Sequence, residues 1–583
     1  MEKLKDIVNE SSPHLTCHQK IRANSCIKNF IEGAPAHQVK NLPAVFVKNS
    51  NSTFKNGRLV TDKVATWIKE DIVAGPFTDP PLKNFRVNPL IALEQHGKIR
   101  PILNVSEPIN RSFNDNVDGN CTEKVFMSSA QEFGYAIVKC GTNAEMSKFD
   151  LQEAYKNIPA KMSDLRLQGF SWLKMFFFEK KQVFGAKTSV CNFDIFGHTL
   201  MDLAIVKSGV PKNITFRRLD DVPIVSPNHM SWCKDFTNVY KNLCDELNVK
   251  LAPDCPNNEK AFSNQKRGRI LGIDFDTTDL TWSIPFEKRE KCLIAIKNAI
   301  ETGKIDLLGI QKLMGRLGDL GQLCPFMKAF KKPLNDVLSY LQNNPYNTCA
   351  LSEYVINDLF VWAGMLSDVS GRYPIPHEPA NPPLACKKFI SDAAGNAENS
   401  AYTETGVGGI CLDENGEIIL AFQHIWDKEM ITEKKDGKGA RYGAKTTTLE
   451  MIGLVIPFLM IPEKMMNQNL VFEVDNIGCY FGWENKYVKG DITASILVKS
   501  ILLMSSFLGS NVFVEHLPRV SNWEASVADN LSRRKTTYTM EKKLLKSFNA
   551  EVPSVLKKWM KDPSEDWNMP YVLLEYVKSK MVQ

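Results

Sequence analysis

The stretch FRRLDDVPIVSP, residues 216–227, carries two adjacent aspartates, Asp220 and Asp221, between a basic approach and a return run broken by Pro223 and Pro227. A doublet by itself is most often a solvated turn. Upstream, MSKFDLQEAYKNIPA (146–160) ends a short strand-like run in Asp150, with Ala154 and Tyr155 where the chain turns towards a helix. A strand-end aspartate near the tip of a hairpin that carries two more is one way to build a two-metal site for phosphoryl transfer. Three carboxylates in one small volume repel each other and raise their own pKa values unless divalent cations sit among them. Mg²⁺, with Mn²⁺ as its substitute, suits such an all-oxygen donor set.

The elements that must position these residues follow from composition and punctuation. With 583 residues, 43% apolar and 24% charged, the chain has material for about three to five globular domains. The apolar run MIGLVIPFLMIP (451–462) is too short to span a bilayer and carries Pro457 and Pro462. The N-terminus lacks the apolar core of a secretory signal, and the 14 cysteines are scattered without a C-x-x-C pair. His14, Cys17, His18 and Cys26 cluster in sequence at a spacing that fits no standard zinc module. A soluble intracellular chain with no membrane partner is expected, with cytoplasm and nucleus undistinguished. SRRKTT (532–537) is too small a basic cluster to decide between them.

Two Pro-rich stretches, 74–85 and 371–385, punctuate the chain. The second, GRYPIPHEPANPPLA, is the best linker, because each proline fixes its own φ and biases its predecessor away from helix. Between them, strand-like SKFDL, GRILGIDFD and LTWSIP mix with helix-like FTNVYKNLCDELNV. The segment 286–365 is helical in pattern. From Phe286 to Lys332 it holds ten basic residues against five acidic ones, a face that could hold a phosphate backbone or merely be solvated. After the linker, KKFISDAAG, GVGGICLD, EIILAFQHI, LVFEVDN and NVFVEHLP read as strands of a second α/β unit.

The stretch around Asp150 resembles motif A of reverse transcriptases, and the aspartate doublet sits where motif C belongs. The likeness continues outward. Residues 75–115 resemble the fingers, QVFGAKTSVCNFD (182–194) resembles motif B, and 259–285 resembles the following palm and primer-grip region. The resemblance implies that Asp150 and Asp220 bridge two ions, with Asp221 in support. It places Lys98 and Arg100 against the incoming triphosphate, Gly185 at the template and nascent base pair, Tyr155 against the 2′ position of the sugar, and Lys187 among the nucleotide-binding residues. Deoxynucleotides, an RNA template and a DNA primer are the implied ligands. Two departures stand out: Arg218 occupies a position usually aromatic, and Pro223 interrupts the return strand.

A polymerase of that kind implies a nuclease for the RNA strand of the RNA–DNA hybrid. FISDAAGN supplies Asp392, TTTLEMIGL supplies Glu450 in the first turn of a helix, VFEVDNIG supplies Asp475 and VADNLSRR supplies Asp529. In that order they resemble the two-metal carboxylate set of retroelement ribonuclease H, with His516 as an extra group near it. The whole pattern is most similar to DIRS-type, tyrosine-recombinase retrotransposons, whose other encoded proteins are implied partners. The expected fold is α+β multidomain: a right-hand polymerase of fingers, palm and thumb, a connection, and an α/β ribonuclease H-like domain. The divisions expected are a 1–74 extension, 75–285 fingers and palm, 286–370 thumb and connection, a 371–385 linker, 386–536 nuclease and a 537–583 tail. The competing reading is a domesticated or decayed copy that binds nucleic acid or a partner without polymerase activity.

Overall fold

The structure, a computed structural model, describes residues 2–95, 98–119, 125, 127–254, 259–321, 323–367, 371–376, 386–394, 406–426, 434–435, 441–442, 446–517, 523–533, 552–561 and 568–582. The chain divides into two compact units, one of Met1–Pro285 with Arg372–Glu378, the other of Phe286–Gly371 with Pro379–Gln583.

In the first unit a hairpin of β1 (Leu90–Gln95) and β2 (Lys98–Leu103) precedes a three-stranded antiparallel sheet of β3 (Glu145–Asp150), β4 (Asp221–Ser226) and β5 (Phe262–Gln265), in the order β5-β3-β4. Two helices follow the acidic motifs, α1 (Lys187–Ser208) and α2 (Trp232–Glu246). Helix α2 buries Cys233, Phe236, Thr237, Tyr240, Leu243 and Cys244 at three- and four-residue spacing. That apolar stripe packs on the sheet, where the Phe149 ring meets Phe236 and Tyr240 at 6.1 and 5.0 Å. After Asp150 the chain makes only a 3-10 turn, Ala154–Asn157, rather than the helix its sequence suggests. The preceding residue, Glu153, takes a left-handed φ of 49° that interrupts any helix start.

The Pro-rich stretch 371–385 is not a free linker at its beginning. Arg372–Pro374 forms an edge strand on Thr281–Ser283, with Trp282 opposite Tyr373, and an edge is where proline is tolerated. Residues 377–385 lie outside the described residues.

The second unit has a five-stranded mixed sheet: β6 (Lys387–Ala393), β7 (Gly406–Leu412), β8 (Ile418–Ile425), β9 (Asn469–Val474) and β10 (Asn511–His516), in the order β8-β7-β6-β9-β10. The pairs β6–β7 and β7–β8 are antiparallel, whereas β6–β9 and β9–β10 are parallel. Its helices include α3 (Glu353–Leu366), α4 (Thr446–Met460), α5 (Ile492–Phe507), α6 (Trp523–Ser532) and α7 (Met569–Val582). Helix α4 is buried almost all round, between the sheet and α5. Such a position explains the apolar run at 451–462 without a membrane. Among the described residues no helix is long and apolar enough to cross one.

The chain passes between the units at Pro285 and again on either side of Arg372–Glu378, and the helical segment from Phe286 belongs with the second unit because it packs with that sheet's helices. Lys499 of α5 donates to both carboxylate oxygens of Asp358 of α3 at 2.7 Å. Its ammonium lies 3.9 Å from the Tyr354 ring centre and 5.5 Å from that of Phe330. At the C-terminus, α7 buries Met569, Pro570, Leu573 and Val577 and packs along α5. That part of the tail belongs to the core.

Two candidate acidic centres

In the first unit Asp150 closes β3 directly opposite Asp221, the first residue of β4. Arg218 and Asp221 exchange backbone hydrogen bonds of 2.9 and 3.1 Å, so Leu219 and Asp220 form a two-residue turn. Leu219 adopts φ 54°, as the first position of a tight hairpin of this type requires. The doublet therefore lies at a hairpin tip, and Leu151 N–H holds the tip by donating to Asp220 O at 3.1 Å. Pro223 does not break the β3–β4 ladder. Its carbonyl accepts from Phe216 N–H at 2.9 Å, and because a residue's N and O face the same neighbour in an antiparallel strand, its missing donor falls on the irregular Phe216 side.

Three cations that sequence reading missed surround the aspartates. Arg217 is 2% exposed. It donates to Leu219 O at 2.7 Å and to the Asp194 carboxylate on α1. Lys148, two residues before Asp150 and so on the same strand face, places Nζ 3.3 Å from Asp221 Oδ1. Lys260 places Nζ 3.2 Å from Asp150 Oδ2. Lys148 was legible from period-two alternation in SKFD, whereas Arg217 and Lys260 carry no local signal. Burial raises Asp220, helped by the charges of Asp221 and Asp150. Burial also raises Asp221, opposed by Lys148. Arg218, the departure noted in the sequence, is exposed.

Asp150 and Asp220 open on a cleft of about 540 Å³ lined by Arg100, Tyr155, Phe184 and Lys260 among others. The Tyr155 ring is wedged against Phe184 at 5.8 Å and Phe193 at 5.6 Å. Burial, with Asp220 adding to it, raises the Tyr155 hydroxyl above its ordinary value and keeps it a neutral phenol. Gly185, at φ 92°, and Lys187 do not line this cleft. They are held by Asn114, which donates to Gly185 O at 2.9 Å and accepts from Lys187 N–H at 3.0 Å. Lys187 Nζ donates to Asn114 O at 3.0 Å. Lys98 lies on β2 opposite Gln95, its side chain outside the described residues.

In the second unit Asp392 sits near the end of β6 and Asp475 follows β9. The strands are parallel neighbours, so their C-terminal ends bring the two carboxylates side by side. Glu450 is in the second turn of α4 rather than the first, because the helix already runs from Thr446. A Cβ on Gly453 would stand 2.6 Å from Ser391 Oγ. Its absence lets α4 lie against β6 and bring Glu450, 3% exposed, to the strand ends. Ligand oxygens of Asp392, Glu450 and Asp475 all lie within 4.8 Å of one another. Carboxylates alone, without thiolate or imidazole, suit a hard divalent cation.

Asp529 is on α6 and is not one of that trio, its Oδ1 lying 2.5 Å from Arg533 Nε. One turn on, Ser532 Oγ donates to Asp392 Oδ2 at 2.5 Å, a contact the sequence did not suggest. Gly408, paired with Asp392, has no Cβ where Leu531 of α6 approaches. Burial raises Asp392, opposed by the Ser532 hydrogen bond and reinforced by Asp529 and Asp475. His516 Nε2 lies 3.2 Å from the backbone oxygen of Asp475. By the same 4.8 Å measure Asp150, Asp220 and Asp221 form no metal-holding trio, and Lys148 and Lys260 lie against two of them.

No family model matches the chain, and no curated protein matches it. Among solved structures it resembles the foamy viral protease-reverse transcriptase in complex with double-stranded DNA, at TM-score 0.44 and 12% identity, covering 89% of this chain and 82% of that one. A second structure of that protein with double-stranded DNA gives 0.42 and 12%, covering 89% and 97%. One with an RNA/DNA hybrid gives 0.36 and 10%, covering 92% and 86%. At TM-scores of 0.36 to 0.44 neither fold nor activity follows from the likeness.

Proposed function

We propose that the chain is an RNA-directed DNA polymerase with ribonuclease H activity, of the kind carried by DIRS-type retrotransposons. The observation that carries it is the presence of two acidic centres, one in each compact unit, each gathering aspartates where neighbouring strands end, with the helical Glu450 joining the second. Asp150 and Asp220 would hold ions at the first, with Asp221 beside them. Asp392, Glu450 and Asp475 would hold them at the second, with Asp529 nearby. Bound Mg²⁺ or Mn²⁺ supplies Lewis-acid activation of the attacking oxygen and neutralises charge on the phosphate. The Tyr155 ring, fixed by Phe184 and Phe193, closes the floor of the cleft against a ribose 2′-hydroxyl and so selects dNTPs. Arg100 offers the triphosphate a guanidinium at the cleft wall.

A nuclease-only protein is the second reading, favoured by the pairing of lysines with Asp150 and Asp221 in the first centre. One pair of assays separates them. Primer extension on an RNA template with Mg²⁺ and dNTPs should be lost in Asp220→Asn, and equal extension by both proteins removes the polymerase. Cleavage of the RNA strand of a hybrid should be lost in Asp475→Asn and kept in Asp150→Asn. Normal cleavage by Asp475→Asn removes the second centre.

A further inference from the structure

We infer that Lys148 is a resident counter-ion for Asp221, so that Asp150 and Asp220 alone bridge a divalent cation in the first centre; this rests on the polymerase reading of that centre. The two lysines at the centre differ in kind. The Lys260 side chain is 63% exposed, so an arriving ion can displace it from Asp150 into solvent. Lys148 is 6% exposed, and it is held at a second point, donating to Glu259 O at 3.0 Å.

The strand register fixes Lys148 there. Lys148 lies across from Phe262 on one side and from Pro223 on the other. Directly opposed residues on one sheet face are close neighbours, so the apolar stem runs between two apolar partners while the ammonium emerges at Asp221. The residue that looked like a defect in the sequence, Pro223, is thus the neighbour that covers this stem. One positive charge on Lys148 cancels one negative charge on Asp221, and the net charge facing an ion is that of Asp150 and Asp220.

The test is Mn²⁺ binding to the full chain, followed by electron paramagnetic resonance, with Asp392→Asn and Asp475→Asn in every protein to silence the second centre. Circular dichroism checks that each protein is folded. A unit charge beside a divalent ion in a water-filled cleft is worth on the order of tenfold in affinity. Lys148→Met should therefore tighten Mn²⁺ binding by about tenfold and Asp221→Asn should weaken it by about as much. The combined Lys148→Met and Asp221→Asn protein should return to within about threefold of the parent. If the combined protein binds as weakly as Asp221→Asn, or Asp221→Asn abolishes binding, Asp221 is itself a ligand and the inference is overturned. Should Lys148→Met not fold, Lys148→Arg keeps the charge and must bind Mn²⁺ as the parent does, and Asp221→Asn alone still decides. If Asp150→Asn and Asp220→Asn leave Mn²⁺ binding unchanged, the polymerase reading has failed, an outcome distinct from failure of the Lys148 assignment alone.

Discussion

Gly197→Ala tests how the first centre is held together. A methyl at Gly197 would fall on Arg217 Nη1 and 3.0 Å from its Cζ. The guanidinium cannot move into solvent, because Arg217 is 2% exposed, and it is committed to Leu219 O at 2.7 Å and to Asp194. Relieving the overlap means giving up the bond to the turn. Loss of a charge-assisted hydrogen bond costs about 1.5–3 kcal/mol, and overpacking a buried site adds about 1–3 kcal/mol. Ala gains back about 1 kcal/mol over Gly in a helix. The balance, roughly 1.5–5 kcal/mol, acts on the Leu219–Asp220 turn, whose left-handed Leu219 depends on its neighbours. Primer extension by the full chain should fall in kcat by about tenfold or more, with hybrid cleavage by the second unit unchanged as an internal control. Normal extension in Gly197→Ala would refute the claim that Arg217 fixes the turn.

Other outcomes follow from the same geometry. Asp358→Ala leaves the Lys499 ammonium buried opposite no carboxylate and should destabilise the second unit by about 3–5 kcal/mol in urea unfolding, whereas Asp358→Leu with Lys499→Met should cost far less. Burial raises Asp358 from 3.8 to about 7 and lowers Lys499. Between those Asp358 values the folded chain keeps a proton that the unfolded chain has released, so this group's contribution to stability falls as pH rises through the window. Asp358→Asn should flatten that part of the stability curve. Gly453→Ala puts a methyl 2.6 Å from Ser391 Oγ, and the shift of α4 should carry Glu450 away from Asp392, lowering hybrid cleavage while sparing primer extension. Tyr155→Ala should admit ribonucleotides, measured as the ratio of NTP to dNTP incorporation; an unchanged ratio removes the gate.

Much of the first centre was legible. Asp150 ends a short strand-like run and Asp220–Asp221 follow a turn signal, and the structure puts both where those local patterns lead. The run at 451–462 could be read as buried helix from its length and prolines, but not what buries it. The helix expected after Asp150 and the start of Glu450's helix were misjudged, because helix ends depend on single φ values and on residues beyond the motif.

By itself the sequence determined the alternation and the order of the acidic residues, since these are recorded within a few residues of each site. Only the tertiary structure decided which charges meet. Lys499 and Asp358 are 141 residues apart in the chain, Arg217 reaches Leu219 only because Gly197 of α1 leaves room, and Asp392 meets Asp475 because two strands distant in sequence run parallel. Periodicity states that a face is buried without naming its partner, and buried ion pairs are chosen by the packing that removes water from both groups at once.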